Sequence, residues 1–224
     1  MTEIRKDAYP MITVGLSTWN SASTIGACVE SILNTAYPNK EIIVVDDGST
    51  DDTLQRLAKY PIRVIHQQHQ GVSAGRNNVL RHARGEIVVY TDSDTIVSSN
   101  WLDVIAEAVQ DPSVGAICGW TEFRTDYRCA SWIKSLDNRM RFDGRRHETS
   151  MVVGLNCAFR KKVLEEIGGF NRDWYHAEDT EVSYLIRQRG YRILLVPEAL
   201  VEHVPEGDWG GIYASVIVTQ RPIC

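Results

Sequence analysis

No stretch of this sequence reaches the roughly 18 consecutive apolar residues that a membrane-spanning helix requires, and the opening MTEIRKDAYP holds no apolar run of the kind a secretory leader carries. Cysteine is sparse: Cys28, Cys118, Cys129, Cys157 and Cys224 form no CxxC pair, and their odd number leaves at least one unpaired. These absences predict a soluble chain in a reducing, cytoplasmic setting, with the inner face of a membrane as the alternative. Positive charge is in deficit, 24 Lys and Arg against 29 Asp and Glu, so a net charge of -5 repels polyanions and no nucleic acid partner is expected. GxGxxG is missing after the first apolar run, which argues against a dinucleotide-dependent dehydrogenase. Internal repeats and low-complexity segments are missing as well.

What is present is a chain of 224 residues, 43% of them hydrophobic, enough for one domain with a substantial core. Runs rich in Val and Ile alternate with stretches of helical period, the pattern of βα units around a mostly parallel sheet buried on both faces. ITVGLST (12–18), EIIVV (41–45), IRVIH (62–66), EIVVYT (86–91), VGAICGW (114–120), GLNCAF (154–159) and YRILLVP (191–197) read as strands. Helices are predicted after residue 21, over 73–83, 101–109, 160–167 and 179–188, the first capped by Ser21 or Ser23. The segment 121–150 breaks the alternation and is locally basic, with Arg124, Arg128, Lys134, Arg139, Arg141, Arg145 and Arg146. The organisation expected is a nucleotide-binding part over about 10–120, an acceptor-binding part over about 121–205 and a short tail over 206–224 that has the look of a truncated end.

EIVVYTDSDT (86–95) sets two carboxylates, Asp92 and Asp94, at the end of a buried strand. By itself the DSD tripeptide reads as a turn and helix cap. EIIVVDDGS, however, places Asp46 and Asp47 at the end of a second strand, on the same edge of the sheet, and ligands of open α/β sheets bind outside the carboxyl ends of the strands. Two such acidic ends suggest a nucleotide site, one pair serving a base or ribose and the other a hard cation, Mg²⁺ or Mn²⁺, on a diphosphate. Glu178 and Asp179 open a third candidate, the start of a helix, where an acid is equally explained as a cap.

STWN (17–20), VVDDGSTDDT (44–53), GVSAGRN (71–77), TDSD (91–94), GLNCAFRKKVLEEIGGF (154–170) and AEDTEVSYLIRQRGYRI (177–193) together resemble the family 2 glycosyltransferases of GT-A fold, over nearly the whole chain. The resemblance implies an inverting, metal-dependent transfer of a sugar from a nucleoside diphosphate sugar, UDP favoured over GDP or dTDP, to a sugar or lipid-linked acceptor hydroxyl. It implies that Ser17 and Trp19 hold the nucleobase with Asp47, Trp19 by packing and Asp47 by hydrogen bonds, and that Arg76 lies near base or phosphates. It implies further that Asp92 approaches the ribose, that Asp94 binds the Mn²⁺ or Mg²⁺ with a possible contact from His203, and that Asp179, paired with Glu178, removes the acceptor proton. Trp19 departs from the tyrosine more usual at its position.

Three features remain open at the level of sequence. CASWIKSLDNRMRF (129–142) carries Trp132, Ile133, Leu136 and Met140 at helical spacing, which fits core packing or a helix lying on a membrane. The arginines beside it could instead meet a phosphate. Trp209 and Tyr213 could cover the donor. His66, His69, His82, His147 and His176 show no metal-ligand spacing and are expected in loops or at the surface, His176 near the acceptor. The competing functions are a catalytically idle nucleotide-sugar-binding module and a sugar nucleotidyltransferase, the latter lacking its expected Gly-rich phosphate loop near the start of the sequence.

Overall fold

A computed structural model describes residues 9–123, 144–173 and 177–204. Nine strands within them form one sheet: β1 (Ile12–Thr18), β2 (Lys40–Asp46), β3 (Arg63–His66), β4 (Ile87–Thr91), β5 (Thr95–Val97), β6 (Val114–Phe123), β7 (His147–Thr149), β8 (Asn156–Arg160) and β9 (Arg192–His203). Six helices flank it: α1 (Ile25–Leu33), α2 (Thr53–Leu57), α3 (Val72–His82), α4 (Trp101–Ala108), α5 (Lys161–Glu166) and α6 (Glu178–Gln188). The spatial order is β3-β2-β1-β4-β8-β6-β9-β5, with β7 added on β9.

The expected parallel sheet is the β3-β2-β1-β4 half, all of whose pairings are parallel. Beyond it β8 is antiparallel to both β4 and β6, while β6 and β9 run parallel. Alternate residues of the central strands feed two cores. Ile12, Val14, Leu16, Val44 and Val89 pack toward Ile25, Val29 and Ile32 of α1 and Trp101 and Ile105 of α4, whereas Val45, Val88 and Tyr90 pack toward Val79 of α3, Val163 of α5 and Ile186 of α6. This two-sided burial is why these strands read as unbroken apolar runs.

The α3 side of β1 presents Thr13, Gly15 and Ser17, and the small residues allow a close approach. A methyl on Gly75 of α3 would lie 2.0 Å from Ser17 Oγ. The helix therefore sits directly on the strand whose end carries Ser17 and Trp19.

Several boundaries differ from expectation. Neither Ser21 nor Ser23 caps α1: Thr24 is at the N-cap without a side-chain cap bond, and Ser21 Oγ instead pairs with Ser93 Oγ at 2.8 Å. That hydroxyl ties the loop after β1 to the turn that carries Asp92 and Asp94. The strand predicted from 154 starts at Asn156, because Gly154 and Leu155 form a turn closed by the Asn156 amide on Val153 O. Strands β5 and β7, three residues each, have no counterpart in the sequence reading. Among the described residues no helix is long and apolar enough to cross a membrane. The amphipathic stretch 129–142, Arg124, Arg128, His176, Trp209 and Tyr213 lie outside the described residues.

Candidate active site

The strand order reverses between β1 and β4, and a cleft of about 530 Å³ opens beside that point, lined by Ser17, Thr18, Trp19, Asp47, His69 and Glu178 together with residues 70–73 and Arg172. Two hydroxyls in its lining, Thr18 Oγ1 and Ser73 Oγ, are buried and have no hydrogen-bond partner among the described residues. Buried polar atoms of this kind call for a ligand group to satisfy them.

Trp19, 52% exposed, sits at the rim and stacks on the imidazole of His69, with ring centroids 4.6 Å apart and planes inclined by 33°. Its loop is stapled to the one after β2. Asn20, at φ 51°, donates its amide to Ser49 Oγ at 2.9 Å and accepts the Thr50 amide at 2.8 Å. Gly48 turns the β2 loop at φ 79° with the His69 amide 3.1 Å from where a Cβ would be, so a side chain there meets both strain and backbone.

Asp47 is far more enclosed than its position suggested, with 3% of its side chain exposed. Oδ1 accepts Gln67 Nε2 at 2.7 Å and the Gln70 amide at 2.9 Å, and Oδ2 accepts the Gly71 amide at 2.8 Å. His69 Nδ1 lies 2.9 Å from Oδ2 and 3.1 Å from the Asp47 carbonyl oxygen. Asp46, beside it, is buried and bonds His66 Nδ1 at 2.7 Å. His66, the last residue of β3, and His69, in the loop after it, are thus surface residues as expected, but both serve the acidic pair.

Arg76 lies beneath the cleft, 4% exposed, and does not line it. Nη1 donates to Glu178 Oε1 at 2.7 Å, Nη2 donates to Gly154 O at 3.0 Å and lies 3.6 Å from Asp92 Oδ1, and the guanidinium covers the Phe170 ring at 5.5 Å. Burial works against its charge, but the fields of Asp92 and Glu178 outweigh burial and hold the proton more firmly than in water. Glu178 is in turn fixed on Arg76. Asp92 keeps 42% of its side chain open, yet the surrounding chain desolvates it enough to raise its pKa, with Asp94 adding to the rise and Arg76 and His203 opposing it.

Asp94 pairs with His203 Nε2 through Oδ2 at 3.1 Å, while its Oδ1 is buried without a partner among the described residues. The pairing is made by the sheet: β5 runs antiparallel to β9 with Thr95 opposite His203, and the Val204 amide bonds Asp94 O at 2.8 Å. Among the described residues no group of three or more His, Cys, Asp or Glu could enclose a metal by itself.

Asp179 is the second residue of α6, whose N-cap Ala177 has a left-handed φ of 68° that costs about 1–2 kcal/mol and starts the helix abruptly. It is not the N-cap. Its Oδ1 accepts the Thr180 amide at 2.8 Å and Oδ2 the Gly154 amide at 3.2 Å, so the Gly154 segment touches Asp179 on one side and Arg76 on the other. Gly154 must be glycine for space: a methyl there would lie 2.8 and 2.9 Å from Arg76 Nη2 and Nη1. Gly154→Ala is expected to destabilise the fold by about 1–3 kcal/mol, read as a drop in melting temperature; an unchanged melting temperature would show that the guanidinium has room to move. Arg146 of the basic segment is not in the cleft; it lies 3.6 Å from Glu198. His69 and Gly154 carry no spacing signal in the sequence, and each acquires its place from contacts remote in sequence.

Strand ends and a helix start that gather around a cleft at the switch point of a mixed α/β sheet are the arrangement of a GT-A fold. The chain belongs to glycosyl transferase family 2, whose profile matches residues 13–168, and it is a glycosyltransferase. It is 27% identical over 223 residues to the poly-beta-1,6-N-acetyl-D-glucosamine synthase of Staphylococcus aureus (strain COL), covering 94% of this chain and 54% of the synthase. Among solved structures, a mannosyltransferase from Pyrobaculum calidifontis in complex with GDP-Man and Mn²⁺ superimposes with a TM-score of 0.73 at 26% identity, covering 93% of this chain and 61% of that one. S. aureus TarS 1-349 with UDP-GlcNAc gives a TM-score of 0.73 at 20% identity, over 88% and 59%, and supports the fold. The chain thus spans about half the length of the synthase. The nucleotidyltransferase alternative falls with this assignment.

Proposed function

We propose that this domain catalyses inverting, cation-dependent transfer of a sugar from a nucleoside diphosphate sugar to an acceptor hydroxyl. The observation that carries the reading is convergence: the ends of β1 and β2 and the start of α6 supply Ser17, Trp19, Asp47 and Glu178 to the lining of one cleft, and Arg76 beneath it links Glu178 to Asp92, just past the end of β4. The donor fits with its base at Trp19 and the Asp47 loop and its ribose toward Asp92. UDP is the favoured nucleotide, with GDP and dTDP as the alternatives, and a glycan or lipid-linked hydroxyl is the acceptor class.

The residues fit a divalent cation through the unsatisfied Oδ1 of Asp94 and the imidazole of His203, which would hold Mn²⁺ or Mg²⁺ with diphosphate and water completing the set. Such a cation, when bound, neutralises charge on the leaving diphosphate as a Lewis acid. Asp179 is oriented by the Thr180 amide and hydroxyl on Oδ1 and by the Gly154 amide on Oδ2, and Oδ2 keeps a further lone pair for the acceptor hydroxyl. A single positioned base suits one displacement at the anomeric carbon, with the acceptor oxygen entering opposite the departing diphosphate. An α-linked donor then gives a β-linked product.

Calorimetry with UDP, GDP and dTDP, with and without Mn²⁺, tests the reading, and cation-dependent binding of one of them is expected. His203→Ala, which removes the imidazole orienting Asp94, should weaken that binding roughly 10- to 100-fold. If Mn²⁺ changes the affinity for none of the three nucleotides, the cation site is refuted.

A further inference from the structure

His69 makes the two contacts assigned above to the nucleobase. Its ring lies on Trp19 at 4.6 Å, and its Nδ1 approaches Asp47 Oδ2 at 2.9 Å. The remaining capacity of Asp47 is largely committed, because Gln67 Nε2 and the Gln70 amide occupy Oδ1 and the Gly71 amide occupies Oδ2. A carboxylate offers about four lone-pair positions. Three are taken by the loop that Asp47 organises, and the fourth faces His69. With 3% of the Asp47 side chain exposed, a base has no route to the carboxylate while the imidazole is in place.

Resting on the nucleotide-site reading, we propose that His69 is a stand-in for the nucleobase: its imidazole holds the base position between Trp19 and Asp47, and a base binds by displacing it. The chemistry matches in each respect. An imidazole N–H on a carboxylate oxygen is replaced by a ring N–H of a uracil, thymine or guanine base, so no buried acceptor is left unpaired. One flat ring on an indole is exchanged for another. The His69 side chain is 55% exposed, so it can swing outward into solvent without opening the core. The Asp47 loop remains anchored by Gln67, Gln70 and Gly71, so the pocket keeps its shape when the ring leaves. The arrangement favours bases with a ring N–H donor, which replaces the hydrogen bond that the imidazole gives to Asp47 from within the ring plane that stacks on Trp19. Cytosine and adenine, in their neutral forms, can donate to the carboxylate only through an exocyclic amino group.

The apparent affinity of a site that is available only part of the time falls by the available fraction. If His69 fills the base position about nine-tenths of the time, its removal raises affinity on the order of tenfold. Calorimetry of UDP with Mn²⁺ is therefore expected to give tighter binding to His69→Ala than to the wild type, with His69→Phe, which keeps the ring on Trp19 but loses the bond to Asp47, in between. Gln68→Ala, at the exposed neighbouring position, should bind as wild type does. Weaker or equal binding by His69→Ala overturns the stand-in and makes His69 a wall of the base pocket or a bystander. An equal rise in affinity in Gln68→Ala overturns it too, by attributing the effect to general loosening of the loop. Failure of wild type and His69→Ala alike to bind UDP, GDP or dTDP refutes the nucleotide site itself, a result distinct from either.

Discussion

Asp179→Asn is expected to lower sugar transfer by about 10² to 10⁴-fold while leaving nucleoside diphosphate binding unchanged. The side chain keeps its size, and its remaining carbonyl oxygen can still accept one of the two amides that hold Asp179, from Gly154 or Thr180. The other amide then faces an NH₂ group, and the missing hydrogen bond costs about 1 kcal/mol, or roughly 2–4 °C in melting temperature for a chain of this size. The effects therefore divide: a small loss of stability, a large loss in kcat, and calorimetric nucleotide affinity as in the wild type. Turnover by Asp179→Asn at the wild-type rate would remove Asp179 from the role of base. A loss confined to the donor KM would assign it to binding instead.

Arg76→Met should be the most destabilising single change in the site. The methionine fills similar space but leaves Glu178 Oε1, which is largely buried, without its cation, and Gly154 O without its donor. Removing one member of a buried pair costs about 3–5 kcal/mol, which corresponds to a fall of roughly 6–20 °C in melting temperature at about 2–4 °C per kcal/mol. Asp92, more open to solvent, adds less. Adding Glu178→Gln to the Arg76→Met protein should recover part of the loss, because the stranded charge disappears, and the two substitutions should be strongly non-additive. Arg76→Lys restores charge without the planar fork and is expected to recover only part. A wild-type melting curve for Arg76→Met would show that the buried arginine contributes nothing net.

Arg76 also shows where sequence reading stops. The resemblance carried by GVSAGRN implies that Arg76 lies near base or phosphates, whereas its hydrogen bonds go to Glu178 and Gly154 O beneath the cleft. Asp47 is similar. Its place at the end of β2 follows from the apolar run before it, whereas its saturation by Gln67, Gln70 and Gly71 depends on where β3 and α3 lie. Asp94 and His203 are both marked in the sequence, yet their 3.1 Å approach is produced by β5, a three-residue strand too short to leave a periodic signal.

The sequence by itself determined the elements whose burial is local in origin: the Val- and Ile-rich strands β1, β2 and β4, the helices with an apolar face, the acids at the strand ends, and through them the family. A side chain's preference for the interior is carried by its own chemistry and by its neighbours a few positions away, so it can be read from the string. Only the tertiary structure decided that β8 enters antiparallel between β4 and β6, that Arg76 is buried under three acceptors, and that His69 lies on Trp19 against Asp47. Those are pairings between residues remote in sequence, and their free energy exists only once the chain has brought both partners to the same place.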